Sequence, residues 1–272
     1  MNYGIVSNCF RTQLEAGESL DSLVGQAEQR GFRFIELRQG SLGEFEEQAF
    51  IVPNRDLAEL HQRFPKIQFN LAVEFPFLSP HYQFDEKDIS GFLWATSMLS
   101  GEQTPHLRLV DLETTDDDLQ AIGIENAVET ILALTEKLTA LNGILSLEHA
   151  RQSWRFFEGA FSTARESMGK RADRLQLCFD PCNLLLAGDR PNQAEITASL
   201  NVDTISMVHF KQRKSGAILP DMQEGDVDWP AVINELNRLH YSGPSLFEVA
   251  PSENLWENLN ASCDFLNTIG IE

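Results

Sequence analysis

Eight short runs of apolar, β-branched and aromatic residues recur along this chain, and a helix-like segment follows each of them. The runs cover residues 3–8, 32–37, 68–75, 106–112, 144–148, 175–180, 205–211 and 245–249. A regular alternation of strand and helix predicts a parallel sheet, because each helix carries the chain back over the sheet to begin the next strand. Eight such units in about 250 residues match a closed (β/α)8 barrel. We therefore predict the α/β class and a TIM barrel.

The helical segments carry signals that support this alternation. Residues 124–138 show the clearest amphipathic pattern, and Ser19 and Asp228 are suitable N-cap residues for two other helices. An open, doubly wound sheet is the alternative fold. Against it, residues 7–10 follow the first run without the glycine-rich turn of a dinucleotide-binding site. No linker-like segment divides the chain, so we expect one TIM-barrel domain over residues 1–272.

The chain is strongly acidic, with 41 acidic and 21 basic residues and a formal net charge of −20. Nucleic acids and anionic membrane surfaces are bound by basic protein surfaces, so we expect neither as a partner. The sequence has no N-terminal signal pattern and no apolar run near the roughly 20 residues of a membrane span. We therefore predict a soluble, cytoplasmic protein that acts on a small molecule.

Four successive strands end in a carboxylate or an imidazole. The fifth to eighth strands carry Glu148, Asp180, His209 and Glu248 in that order. Because side chains alternate along a strand, each of them points away from the apolar face that packs against the helices. The C-terminal ends of barrel strands are where catalytic residues lie. His209 alone would be interpreted as a hydrogen-bonded core histidine, but beside three carboxylates it is predicted to bind a metal.

Three carboxylates that meet in a barrel interior need positive charge beside them. Their shared burial is strongly unfavourable unless a cation offsets the negative charge. Three carboxylates with one imidazole suit a divalent ion such as Mn²⁺, Co²⁺, Mg²⁺ or Zn²⁺. The cysteines are few and scattered and complete no zinc site, so we expect buried thiols. We therefore predict one divalent metal ion as the cofactor.

At these residues the chain resembles the xylose isomerase-like TIM barrels, the sugar isomerase/epimerase superfamily. This superfamily also includes inosose and dehydroshikimate dehydratases and endonuclease IV. The resemblance spans the whole chain and rests on the motifs Ser-Leu-Glu148-His, Phe-Asp180-Pro-Cys-Asn183, Val-His209-Phe-Lys211, Glu-Gly225-Asp-Val-Asp228-Trp with Tyr241-Ser-Gly243, and Leu-Phe-Glu248. It implies that Glu148, Asp180, His209 and Glu248 hold one divalent ion.

The activity that the resemblance implies is metal-dependent isomerisation or epimerisation of a keto-sugar, polyol or related sugar derivative. A metal that bridges a carbonyl and the adjacent hydroxyl would stabilise the enediolate formed when the neighbouring proton leaves. Glu148 and Glu248, on opposite sides of the substrate, would be the catalytic acid and base. The alternatives are a metal-dependent dehydratase of an inosose-like or 3-dehydroshikimate-like compound and a non-catalytic metal-binding relative. The acidic net charge opposes endonuclease activity.

Five further residues are predicted to bind the substrate. They are Lys211, Asn183, Arg38, Glu36 and Glu74, which lie at or near strand ends. Lys211 could instead extend from the rim into solvent, and Glu36 with Arg38 could form a structural ion pair. Arg108 is expected to be a buried arginine paired with a carboxylate, and His149 is expected to face the helices as a structural residue.

Two positions depart from the pattern of the superfamily. Many sugar epimerases have histidine where this chain has Asn183, and asparagine can hydrogen-bond a hydroxyl but cannot carry a proton. The position after Lys211 is often aspartate and is Gln212 here. Both departures weaken any inference of a specific substrate from members of the superfamily. The exposed helices of such barrels often support homodimers, and a homodimer is compatible with this sequence.

Overall fold

The computed structural model describes residues 2–46, 55–79 and 86–271, and eight parallel strands form a closed barrel at its centre. The strands are β1 (Asn2–Val6), β2 (Phe34–Arg38), β3 (Gln68–Glu74), β4 (His106–Val110), β5 (Ile144–Glu148), β6 (Leu175–Phe179), β7 (Ile205–Phe210) and β8 (Pro244–Phe247). Each strand pairs with its neighbours in the chain, and β8 pairs with β1 to close the barrel. The predicted (β/α)8 fold is confirmed.

Helices connect the strands and cover the outside of the barrel. They are α1 (Arg11–Glu15), α2 (Leu20–Gln29), α3 (Leu60–Arg63), α4 (Glu86–Ser100), α5 (Asp116–Ile122), α6 (Ile124–Ala140), α7 (Trp154–Met168), α8 (Gln193–Ser199), α9 (Trp229–Arg238) and α10 (Leu255–Thr268). Within the described ranges, no helix has the length and apolar content needed to cross a membrane.

The predicted helix caps at Ser19 and Asp228 are confirmed. Ser19 Oγ accepts a hydrogen bond from the Ser22 amide at 3.1 Å, and Asp228 Oδ1 accepts one from the Ala231 amide at 3.2 Å. The sequence pattern did not indicate α5, which has three aspartates in its first turn and begins with a capping box at Thr115. Nor did it indicate a short antiparallel ribbon, Arg213–Lys214 with Ala217–Ile218, in the loop after β7.

Side-chain alternation along the strands separates two apolar regions. Outward-facing residues such as Leu147 and Phe210 belong to the large core between strands and helices. A small separate cluster, formed by Val6, Cys178, Met207 and Leu246, fills the middle of the barrel interior. This region is tightly packed, since a Cβ at Gly4 would lie 2.6 Å from Phe34 Cβ and 2.9 Å from Leu246 Cγ. The barrel is therefore packed below its C-terminal end.

One irregularity shapes β7. Leu177 of β6 pairs with Ile205, whereas Cys178 pairs with Met207, so Ser206 is an extra residue in β7. A bulge of this kind changes the direction of a strand and of the side chains that follow it. The Ser206 hydroxyl donates to the Leu177 carbonyl at 3.0 Å. The bulge lies three residues before His209 and therefore helps to set the position of that ring.

Candidate metal centre

The four predicted metal ligands converge at the C-terminal end of the barrel. Glu148 is the last residue of β5 and His209 is the penultimate residue of β7, while Asp180 and Glu248 directly follow β6 and β8. All four are buried, with 0 to 7% of their surface exposed. Each offers one ligand atom, and these atoms lie within 4.8 Å of one another. The geometry is that of a candidate cation site.

His209 presents its two ring nitrogens to different groups. Nδ1 lies 3.3 Å from Glu248 Oε2 and 3.6 Å from Glu148 Oε1, whereas Nε2 lies 3.3 Å from both Glu36 Oε1 and Cys178 Sγ. Nδ1 is buried and has no hydrogen-bond partner within the described part of the chain. A proton on Nε2, donated to Glu36, would leave the lone pair of Nδ1 directed at the carboxylates. A carboxylate behind the ring is the usual support of a metal-binding histidine.

Lys211 lies inside the site and not in solvent. Its Nζ is 2.5 Å from Asp180 Oδ2 and 2.6 Å from Glu248 Oε2, and only 6% of the residue is exposed. The structure therefore excludes the alternative in which this lysine extends from the rim into water. Its ammonium group joins two carboxylates of the quartet and fixes their orientation.

Arg108 lies below the quartet and joins one of its carboxylates, Glu148, to a further carboxylate, Glu36. Its Nη1 is 2.8 Å from Glu148 Oε2, and its Nη2 is 2.5 Å from Glu36 Oε1. Asn70 Nδ2 donates to the other oxygen of Glu36 at 2.6 Å. The expected pairing of a buried arginine with a carboxylate is confirmed. Because Glu36 also contacts His209, the pair of Glu36 and Arg108 connects two members of the quartet.

The charges of this cluster do not balance. Its carboxylates are Glu36, Glu148, Asp180 and Glu248, and its side-chain cations are Arg108 and Lys211. With a neutral His209, two negative charges remain without a partner, and burial makes such an excess costly. A divalent ion would neutralise it. The unpartnered Nδ1, the oxygen-rich ligands and this charge excess together fit a divalent metal ion.

The pKa values of the site reflect the same imbalance. Burial raises the pKa of Asp180, despite the neighbouring Lys211. Burial would also raise the pKa of Glu248, but Lys211 and His209 outweigh it and hold that pKa well below its ordinary value. For His209, burial would lower the pKa, yet the adjacent carboxylates of Glu36 and Glu148 raise it well above the ordinary value. Without a metal ion, the excess carboxylate charge therefore favours protons on His209 and Asp180, and a bound divalent ion would take the place of those protons.

A pocket of about 230 Å³ opens at the quartet. It is lined by Glu148, Glu248, Lys211, Asn183, Arg38, Arg108, Arg151, Val110, Leu112, Ala150 and Leu186. Asn183 Nδ2 donates to Glu148 Oε1 and to the His149 carbonyl, both at 2.9 Å. A larger groove of about 480 Å³ lies on the outer side of the barrel beside α7 and includes no quartet residue. The smaller pocket is therefore the candidate substrate site.

Of the five predicted substrate residues, the pocket contains Lys211, Asn183 and Arg38 but neither Glu36 nor Glu74. Glu36 needs a correction, because it is fully buried beneath the site and bound to other side chains. The Glu36–Arg38 ion pair does not form. Instead, Arg38 Nη2 lies 3.5 Å from Glu74 Oε1 at the rim. The two residues of β2 share a face but differ in depth, so they meet different partners.

Sequence patterns did not indicate Arg151 or Cys178. Arg151 lies in the loop after β5, where strand alternation no longer applies. Its amide donates to Gln152 Oε1 at 3.3 Å. Cys178 shares a face with Asp180, which was a usable signal, and its thiol contacts the His209 ring. Burial raises the pKa of that thiol to about 12, so it remains neutral.

Two other residues have structural roles. His149 is buried, its Nε2 lies 2.7 Å from the Gln152 carbonyl, and its ring packs against that of Trp154, as expected for a residue that faces the helices. Gln212 is also buried. Its Nε2 donates to the carbonyls of Gln223 and Val227, and its Oε1 accepts from the amides of Arg213 and Val227. Gln212 therefore closes the loop after β7.

Known structures share this fold at low sequence identity. The IOLI protein with a bound zinc atom is 14% identical, with a TM-score of 0.69 over 99% of this chain and 96% of its own. The probable 3-DHS dehydratase AsbF from Bacillus anthracis, involved in petrobactin synthesis, is 18% identical, with a TM-score of 0.70 over 98% and 99%. An L-ribulose 3-epimerase is 14% identical, with a TM-score of 0.64 over 99% and 87%.

The sequence itself identifies the family. No curated protein sequence is significantly similar to this chain. The family model of the xylose isomerase-like TIM barrel, however, matches residues 24–269, which include all eight strands except β1 and all four residues of the quartet. This chain therefore belongs to the xylose isomerase-like TIM barrel family.

Proposed function

We propose that this protein is a divalent-metal-dependent isomerase or epimerase that moves a proton next to the carbonyl of a sugar or sugar derivative. The observation that carries the proposal is the convergence of Glu148, Asp180, Glu248 and the unpartnered Nδ1 of His209 beside a small pocket. These four residues would hold the ion. When bound, the ion would polarise the carbonyl and its neighbouring hydroxyl and stabilise the negative charge that develops on proton removal.

Glu148 and Glu248 are suited to accept and return the proton. Both pKa values lie below the ordinary value, because Arg108 and His209 for Glu148, and Lys211 and His209 for Glu248, outweigh the effect of burial. Both side chains are therefore carboxylates and can act as bases. Lys211 holds Oε2 of Glu248, while Oε1 makes no hydrogen bond within the described residues. That oxygen is the proposed proton acceptor.

The two glutamates allow two outcomes. Transfer from one face of the substrate and return on the other inverts a carbon, which is epimerisation. Transfer by one glutamate between adjacent carbons exchanges an aldehyde and a ketone, which is isomerisation. Arg108 and Asn183 each hold one oxygen of Glu148, so this carboxylate is oriented for either reaction.

A dehydratase is the second candidate, with an inosose-like or 3-dehydroshikimate-like substrate. It would begin with the same loss of a proton beside a carbonyl and then expel a hydroxyl. The observation that favours it is the set of basic side chains at the pocket, Arg38, Arg151 and Lys211. Such a set suits a substrate that carries a carboxylate, which 3-dehydroshikimate has and an inosose lacks.

The test is proton exchange in D₂O. Protein loaded with Mn²⁺ is incubated with ketohexoses, inososes and dehydroshikimate, and NMR follows the carbon next to the carbonyl. An isomerase or epimerase incorporates deuterium and forms a new isomer, whereas a dehydratase forms an unsaturated product. Glu248→Gln should lower the rate by about 10³-fold, because a positioned acid–base group contributes on the order of 10²–10⁴.

Two results would contradict the proposal. One is a Glu248→Gln variant that turns over a substrate as fast as the native protein. The other is purified protein that contains no divalent ion and takes up none when Mn²⁺, Co²⁺, Mg²⁺ or Zn²⁺ is added. Metal uptake without exchange on any compound would instead indicate a non-catalytic metal-binding relative.

A further inference from the structure

We infer that the substrate carries a carboxylate, which binds the guanidinium groups of Arg38 and Arg151 at the mouth of the pocket. This inference rests on the proposed function and extends it by naming the substrate class. Arg151 lies in the loop after β5, and Arg38 is the last residue of β2. Both line the pocket that contains Glu148 and Glu248.

The first support is the hydrogen-bonding character of the pocket. Apart from Glu148 and Glu248, the polar side chains among its described lining residues are Arg38, Arg108, Arg151, Lys211 and Asn183. Arginine and lysine offer only donors, Asn183 adds one acceptor oxygen, and the other described lining residues are aliphatic. A hydroxyl must donate as well as accept, so a substrate with hydroxyls alone would find few acceptors here. A carboxylate only accepts, and it matches these donors.

The second support is the difference between engaged and available cations. Arg108 is buried and bound by Glu36 and Glu148, and Lys211 is bound between two carboxylates. Arg151 is exposed and makes no ion pair with any residue in ranges 2–46, 55–79 and 86–271. Among the described residues, the one ion-pair partner of Arg38 is Glu74, which lies at 3.5 Å, has 54% of its side chain in water and therefore contributes little. Two guanidinium groups therefore remain available to a ligand.

The third support is local charge. The chain carries a net charge of −20, yet Arg38, Arg151 and Glu74 together carry one net positive charge. A divalent ion would neutralise the two excess negative charges of the inner cluster. The three side chains at the mouth would then offer one net positive charge, which one carboxylate balances. A field confined to a cleft can attract an anion even when the protein as a whole is acidic.

The backbone of both arginines is held in place. The Arg38 amide donates to Ser7 Oγ at 2.8 Å. The Arg151 amide donates to Gln152, whose Nε2 in turn donates to the carbonyls of Asp111 at 2.8 Å and Thr114 at 3.0 Å. Gln152 thus ties the loop after β5 to the loop after β4. A carboxylate contacted from these two positions would be fixed relative to Glu148 and Glu248.

Binding to the Mn²⁺-loaded full chain tests the inference by calorimetry with three probes. Quinate is a cyclic polyol with a carboxylate, methyl quinate is its neutral ester, and myo-inositol is a neutral ring of similar size. Quinate should bind at least about 10-fold more tightly than either neutral probe, since a hydrogen bond to an ionised group is stronger than one between neutral groups. Arg151→Gln and Arg38→Gln should each weaken quinate by about 10-fold and leave myo-inositol unchanged.

Two further variants separate a specific contact from a change in net charge. Arg171→Gln removes the same charge from an exposed site outside the pocket and should bind quinate normally. Arg151→Lys keeps the charge and should retain much of the affinity that Arg151→Gln loses. The inference is overturned if quinate does not bind, if methyl quinate binds equally well, or if both glutamine variants bind quinate normally. Tighter, Arg151-dependent binding of fructose 6-phosphate would overturn it in favour of a phosphate.

Failure of the carboxylate inference can be distinguished from failure of the proposed isomerase function. If a neutral ketohexose exchanges its proton in D₂O at the same rate in the native protein and in Arg151→Gln, the carboxylate inference fails and the isomerase proposal stands. If the protein takes up no divalent ion but quinate binding still depends on Arg151, the isomerase proposal fails and the anion site stands.

Discussion

The two ends of the barrel interior hold pockets of equal size and opposite character. Each has a volume of about 230 Å³. Among the described residues, the C-terminal pocket is lined by two carboxylates and four cations. The N-terminal pocket is lined there by amide, hydroxyl and apolar side chains with a single titratable residue, His106. The strands supply inward-facing residues at both ends, so pocket size alone does not reveal function. The concentration of charge does.

The difference is clearest in the two histidines. His106 Nε2 lies 2.6 Å from Ser146 Oγ, which donates to Ser206 Oγ at 2.8 Å, and this chain of hydrogen bonds ends at the Leu177 carbonyl. Burial lowers the pKa of His106 to about 4, so the ring is neutral. His209 has the opposite pKa shift and a nitrogen without a hydrogen-bond partner among the described residues. A satisfied histidine supports structure, and an unsatisfied one beside carboxylates indicates a binding site.

Glu148→Gln should give the largest loss of activity and show that the two ends of the barrel differ in function. The variant loses a proposed metal ligand and a proton acceptor, so deuterium exchange on an identified substrate should fall by about 10³-fold or more. Ser146→Ala, on the same face of β5 but toward the other end, is the matched control and should exchange at the native rate. Equal losses in both variants would mean that the two ends do not differ in function.

Arg108→Met tests the layer between the two ends and should destabilise the protein by about 3–5 kcal/mol, because it leaves Glu36 buried without its cation. Urea denaturation measures the change. The double variant Glu36→Gln with Arg108→Met should recover part of the loss, since it removes the unpaired charge. Substitutions on a protein surface usually cost less than about 1 kcal/mol of stability. A loss this small in the single variant would contradict a buried ion pair here.

The pH dependence of stability should reveal that His106 is neutral in the folded protein. His106 has a pKa of about 4 when folded and an ordinary value near 6.5 when unfolded, so the unfolded chain binds more protons between these values. The contribution of His106 to the free energy of unfolding is fully present above its unfolded-state pKa. This contribution is lost as the pH falls toward the folded-state pKa of about 4. The native protein should lose roughly 2 kcal/mol more than His106→Gln across this range. Equal losses by urea denaturation would refute the assignment.

Ser146→Ala should have the smallest effect, about 1 kcal/mol of stability, because one hydroxyl is lost from the chain that holds His106. Metal affinity, measured by calorimetry with Mn²⁺, should stay unchanged. A weaker metal affinity would show that the hydrogen-bond chain at the N-terminal end supports the quartet.

The barrel and the quartet were predictable because both follow from local rules. Strand alternation gives the face of each side chain, and a closed parallel barrel brings the ends of β5 to β8 together. The partners of Glu36 and Arg38 were not predictable, since they depend on the depth of each residue and on the stagger between strands. Arg151 was also missed, because a loop has no period that relates one side chain to the next.

The four side-chain hydrogen bonds of Gln212 have a consequence for how this protein could evolve. All four of its partners are main-chain atoms, which nearly every amino acid supplies. Mutations can therefore accumulate between residues 213 and 227 without loosening the anchor. The exceptions are proline at Arg213 or Val227, which would remove a donor, and any side chain at Gly225, whose Cβ would lie 2.4 Å from Gln212 Cδ. A lineage could thus change much of the sequence of this loop while Glu148, Asp180, His209 and Glu248 stay unchanged.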